Sequence, residues 1–178
     1  RSIQSFLTDS YGLSVWKEVA ASADVGIENF EALLVYDDQV TKRVLHAAEI
    51  QLARPRTELL EDLGTYLVSH PNIKAVRRLL RFGGANFTDF LHSLDELPNR
   101  ARLAVAELEM PVLRLHDHTP GNFTLFVTHP KMNFGHVFVG VLRAMADDYG
   151  ALVLLEHLGS KVGTESISVQ VLETNFVQ

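Results

Sequence analysis

Between Asn86 and Pro98, apolar side chains recur three and four residues apart: Phe87, Phe90, Leu91, Leu94 and Leu97. That spacing puts them on one face of a helix. Gly83 and Gly84 break whatever precedes it. Asn86 is placed to cap the helix start, and Asp89 stands in the first turn, where a carboxylate meets the positive end of the helix dipole. Pro98 lacks an N–H and clashes with the carbonyl four residues back, so the helix is expected to meet a disruption there.

The chain around this ridge changes character near residue 110. Ser2 to Tyr11, Leu13 to Ala21, Val40 to Ala48, Thr57 to Val68 and Ile73 to Leu80 all carry helical apolar spacing. Asp38 is placed to cap the third of these helices. Phe30 to Tyr36 is an apolar run. After Met110 the period shortens. Val112, Leu113 and Leu115 lead into His116-Asp117-His118, Thr119 to Asn122 reads as a turn, and Phe123 to Thr128 alternates as a strand. Val137 to Tyr149 returns to helical spacing and stops at Gly150. Ala151 to His157 and Ile167 to Glu173 read as two last strands joined by a Gly-containing turn. The expected fold is α+β: helices over about 1–110, then an antiparallel sheet of about four strands with one intervening helix over about 111–178, in a single domain.

Composition narrows the function classes. A net charge of −6 argues against a nucleic-acid partner, because phosphate binding needs a basic patch. There is no cysteine, hence no disulfide framework and no thiolate chemistry. No apolar run reaches the ~20 residues of a membrane helix, so membrane insertion is not expected. Gly83-Gly84 lacks the lysine of a phosphate-binding loop, and no nucleophile elbow is present. No catalytic residues are therefore expected.

The stretch NFTDFLHSLDELP resembles the signature helix of the heme nitric oxide/oxygen-binding (H-NOX) family, N-F-x-x-F-L-x-x-L-D-x-x-H. Asn86, Phe87, Phe90, Leu91, Leu94 and Asp95 match. YGLSVW resembles the family's Y-G-x-x-V-W after its first helix. Tyr36-Asp37-Asp38 resembles its Y-D-D, and Leu63-Gly64 stands where it often has F-G. Pro111 stands where the family carries a proline against the porphyrin. The family's first helix begins several residues before Arg1, so the sequence reads as trimmed at its start.

The resemblance implies a heme cofactor, an axial histidine on the signature helix and a Tyr-x-Ser-x-Arg motif on the heme propionates. The axial position here is Pro98. The three motif positions are Phe126, Thr128 and Pro130, which lose a hydroxyl, keep one and lose a charge. A buried carboxylate without such partners is costly. The expectation is therefore a family member whose usual heme mode has been given up. Alternative ligands are His92, turned about 240° from the ligand face on an ideal helix, and His129 on the motif strand. His116 and His118 share a strand face and form at most a weak metal pair.

The resemblance further implies a cytoplasmic, bacterial-type signalling module that acts by contact on a histidine kinase or a cyclic-nucleotide or cyclic-dinucleotide enzyme. Two other readings stand beside it. One is a carrier of an apolar small molecule or non-standard tetrapyrrole, in a pocket lined by Leu94, Leu97, Phe126 and Phe138. The other is a ligand-free scaffold.

Overall fold

The computed structural model describes residues 2–30, 36–71, 74–104 and 110–173. Ile73 and most of the Phe30–Tyr36 run lie outside them. The chain divides into two compact units, Arg1–Leu63 and Gly64–Gln178.

The first unit holds α1 (Ser2–Tyr11), α2 (Leu13–Ala23) and α3 (Asp38–Leu52). Phe6, Leu7, Trp16, Val19, Val44, Leu45 and Ala48 are among its buried apolar residues, at the helical spacings read from the sequence. The cap of α3 is Asp37, one residue earlier than expected. Its carboxylate accepts the Gln39 N–H at 2.9 Å, while Asp38 is already the first helical residue. A capping side chain must come from a residue with extended backbone, and Asp37 has it (φ −60°, ψ 139°). Helix α4 (Arg56–Ser69) follows.

The second unit holds α5 (Lys74–Arg81), α6 (Phe87–His92), α7 (Leu97–Ala104), β1 (Val112–Thr119), β2 (Asn122–Thr128), α8 (Gly135–Tyr149), β3 (Leu152–Lys161) and β4 (Thr164–Glu173). The four strands form one antiparallel sheet in the order β1-β2-β4-β3, as the α+β reading requires. Two-residue turns set the register of both hairpins. Val162 and Gly163 (φ 52° and 75°) link β3 to β4, a conformation that matches the strand twist.

The inner sheet face carries Leu113, Leu125, Val127, Ile167 and Val169. They pack into one cluster with Phe87, Phe90, Leu91, Leu94 and Leu97 and with Phe138, Val141, Leu142 and Met145 of α8. The ridge read from the sequence is thus the layer that covers the sheet. Gly64, at the F-G position, lies so close to the Val137 carbonyl that an added Cβ would overlap it. Here close helix approach, not a turn, demands glycine.

The expected disruption arrives before the proline. Helix α6 ends at His92, and Ser93–Glu96 form a 3-10 turn before the chain resumes as α7. The tighter turn lets Leu97 donate to the Leu94 carbonyl, the group a proline ring would otherwise strike in a continuous α-helix.

Candidate functional site

Pro98 enters as the second residue of α7, where the first turn has no intrahelical use for its missing donor. It is buried, as is Pro111 just ahead of β1. Neither side chain has an atom that can ligate a metal. Leu94 and Leu97, at 0% and 3% exposure, belong to the inner cluster with Phe138. Asp95 sits beside them on the 3-10 turn. Its carboxylate accepts the Leu115 N–H at 2.9 Å. It therefore closes a backbone donor on edge strand β1, rather than simply facing solvent at a helix end.

On β2, Phe123, Leu125 and Val127 point inward, and Phe126 and Thr128 lie on the other face. Successive strand residues alternate faces, so Phe126 cannot line one pocket with Leu94, Leu97 and Phe138. That sequence expectation is corrected. Thr128 keeps its hydroxyl engaged with Thr164, Oγ1 to Oγ1, at 2.9 Å. Pro130 follows the strand end and adds no donor. Phe126 likewise has an aromatic ring without a polar atom.

The histidines are used locally. His92 is exposed, with Nε2 3.0 and 3.3 Å from the two carboxylate oxygens of Asp117. Its ring stands edge-on to Phe123 at 5.7 Å. His129 turns Nδ1 back to accept the N–H groups of Lys131 and Met132 at 3.2 and 3.0 Å. The rings of His116 and His118 lie 4.7 Å apart, and His118 Nε2 is 2.7 Å from the Thr124 hydroxyl. Among the described residues, no three His, Asp or Glu gather closely enough to hold a metal ion.

Two polar clusters were not anticipated from the sequence. Glu165 is 4% exposed. It accepts the Gly135 N–H at 2.8 Å through Oε2 and lies 2.9 Å from His157 Nε2 through Oε1. The His136 ring stacks on His157, with centroids 4.1 Å apart. The carboxylate thus sits at the positive end of α8 and ties β4 to it. The sequence signal was the alternation of β4: Glu165 has the same parity as Ile167 and Val169. The second cluster joins α5 to the end of α8. Arg77 and Arg81 both pair with Asp148, and Arg81 lies 4.5 Å over the Tyr149 ring. Tyr149 donates to the Gly84 carbonyl at 2.8 Å. Burial pushes the Tyr149 phenol above its ordinary pKa, and Arg81 opposes that rise.

The Haem-NO-binding family model matches residues 1–157. The soluble guanylate cyclase gcy-31 of Caenorhabditis elegans is 23% identical over 146 residues, covering 82% of this chain and 21% of that protein. The beta-2 subunit of soluble guanylate cyclase from Rattus norvegicus is 26% identical over 91 residues, covering 51% of this chain and 13% of that protein. The chain thus spans about a fifth or less of the length of these relatives. Among solved structures, the unliganded Fe(II) H-NOX protein of K. algicida superposes with a TM-score of 0.81 at 14% identity, covering 99% of this chain and 96% of that one. The Fe(II)NO H-NOX protein of S. oneidensis does so at 0.80 and 13%, covering 97% and 96%. At such identities the superpositions speak for the fold alone. With the family model running from the first residue through most of β3, the chain belongs to the Haem-NO-binding (H-NOX) family.

Proposed function

We propose that this chain is a sensory or regulatory domain of the H-NOX type, a single domain that acts by contact on a signalling partner and does not use the family's histidine-ligated heme. The observation that carries the second half is the residue at position 98. A buried proline stands where the signature pattern ends in histidine, and iron ligation needs an imidazole nitrogen aimed from that helix. Phe126 and Pro130 likewise offer no hydroxyl and no forked cation for a propionate. His92 is held at the surface by Asp117 and His129 by its own turn. The residues present therefore do not fit the usual cofactor, and no step of the function is routed through it.

The signalling half rests on family membership and on the guanylate cyclases among the relatives. A histidine kinase or a cyclic-nucleotide or cyclic-dinucleotide enzyme is the partner class that this reading favours, in the cytoplasm. No described helix is long and apolar enough to cross a membrane, which is compatible with that placement.

The test is the visible spectrum of protein expressed with added heme precursor. No Soret band is expected from the wild type. The Pro98→His, Pro130→Arg double variant reintroduces a nitrogen ligand and a cation, and gain of a Soret band by it alone would support the reading. A strong band in the wild type that shifts with NO would overturn it.

A further inference from the structure

The charges of this chain are unevenly placed. Helices α5 and α7 carry Lys74, Arg77, Arg78, Arg81, Arg100 and Arg102 and no acidic residue, so all 22 Asp and Glu of a chain of net charge −6 lie elsewhere. The two helices touch each other. Their ends also meet at Ser93. Gly83 lies so close to the Ser93 side chain that an added Cβ would overlap it, and Arg100 reaches the Ser93 hydroxyl and carbonyl at 3.5 Å.

Helix α5 divides its cations between two stripes, because residues four apart share a line on a helix. Arg77 and Arg81 form one stripe and are spent on Asp148. Lys74 and Arg78 form the other. Phe82 continues it, with its N–H bonded to the Arg78 carbonyl at 3.1 Å. Lys74, Arg78 and Arg102 have no ion-pair or hydrogen-bond partner for their side chains among the described residues.

A lone unpaired surface cation is ordinary. Here the cations stand beside two apolar tips: Phe82 is 85% exposed and Leu103, one turn on from Arg100, 89%. Phe82 is the one exposed phenylalanine among the described residues. It does not sit on a loose end, since the Tyr149 hydroxyl holds the Gly84 carbonyl two residues on at 2.8 Å. A polyanion in water would use the cations and leave both tips wet. An anionic bilayer takes both, the tips into its headgroup boundary and the cations against the lipid phosphates.

We propose that the α5–α7 surface docks on an anionic lipid bilayer, lying on it rather than crossing it. Lys74, Arg78 and Arg102 steer and hold the contact, and Phe82 and Leu103 anchor it. The site does not depend on whether heme binds, so the Soret experiment can fail without touching it.

The experiment is co-sedimentation with vesicles of phosphatidylcholine alone and of equimolar phosphatidylcholine and phosphatidylserine. Binding to the anionic vesicles only is expected, and it should weaken as salt screens the charges. The Arg78→Glu, Arg102→Glu double variant should weaken it at least about thirtyfold, roughly fivefold for each cation taken from an anionic surface. Arg114→Glu, the same charge change on strand β1, should retain the binding. Phe82→Trp adds an exposed indole to the buried Trp16, and its emission should move to shorter wavelength on the anionic vesicles. The proposal is overturned by no sedimentation, by equal sedimentation with both vesicles, or by a double variant that binds as the wild type does. Phe82→Trp emission that stays fixed while the chain sediments would also overturn it. So would capture by polyglutamate or duplex DNA with the anionic vesicles left unbound, which would make the partner a polyanion. The substituted side chains are exposed, so the variants are expected to fold, which far-ultraviolet circular dichroism verifies directly.

Discussion

The two faces of the sheet are built from the same strands and share little else. The inner face is apolar at its centre, and its polar members Glu165 and His157 bond to each other, with the carboxylate engaged on both oxygens. The outer face carries Arg114, His116, Thr124, Phe126, Thr128, Thr164 and Ser166, all half-buried or exposed. Phe87, Phe90, Leu91 and Leu94, the apolar residues that match the family's signature helix, pack into the core with the inner face, and each is also a core residue. The outer face holds Phe126 and Thr128, at two of the three positions where the resemblance places the motif, and neither belongs to the core. Packing restrains Phe90 or Leu94 whatever the domain binds. Core packing does not restrain position 126 or 130. Loss of a ligand mode is thus compatible with full retention of fold.

The largest effect should come from breaking the inner face. Leu94→Ala removes a fully buried side chain between the 3-10 turn and the sheet and should cost about 2–5 kcal/mol by urea denaturation. Phe126→Ala on the outer face should cost about 1 kcal/mol, the scale of strand preference at a half-open position. Equal losses would mean that the outer face is also core, and the contrast between the faces would fall.

A smaller effect is expected at the rim of the inner face. Tyr149 rests against Phe87 and Phe90, and burial raises its phenol pKa while Arg81 pulls it down. The folded chain therefore holds this proton more tightly than the unfolded one. The associated stability is present below the ordinary tyrosine range and is lost as pH rises through the raised value. Arg81→Gln removes the opposing cation, so Tyr149 should titrate higher still. Phenolate absorbance of this variant, with Tyr149→Phe subtracted to isolate one phenol from four, measures it. An unchanged or lowered midpoint would show that Arg81 does not face the ring in solution.

Much of this fold was legible in the sequence, and the reasons are local. The three-and-four spacing from Phe87 to Leu97 gave the covering helix, and the Thr119–Asn122 and Gly163 turn signals gave the two hairpins. What could not be read was tertiary. Whether Phe126 faces Leu94 or solvent depends on which strand face is covered, and alternation alone leaves both choices open. The 3-10 turn ahead of Pro98 was hidden because a proline's clash can be relieved on either side of it. Glu165 escaped because a strand read from Ile167 starts two residues too late to include it, and Asp95 because its partner is a backbone N–H twenty residues away. The site was less legible than the fold. Pro98 and Pro130 say which donors are missing, whereas the pairing of Glu165 with His157 shows only once β3 and β4 are side by side.

The smallest expected effect gives the sharpest reading of the iron question. His92 is the one imidazole within the signature helix, and it spends its Nε2 on Asp117, with both side chains about half exposed. Exposed pairs of this kind are worth roughly 0–1 kcal/mol, so His92→Ala should shift the unfolding midpoint very little. It should also leave the visible spectrum unchanged, because a ring held against the β1 edge is turned away from the position that Pro98 occupies. If wild-type protein did carry a Soret band and His92→Ala abolished it, the pairing with Asp117 would have to open in solution. The signature helix would then retain a ligand six residues ahead of its usual place. A loss of several kcal/mol without any spectral change would instead make His92 a structural tie between α6 and the sheet edge, and would add the rim of β1 to the face that packing restrains.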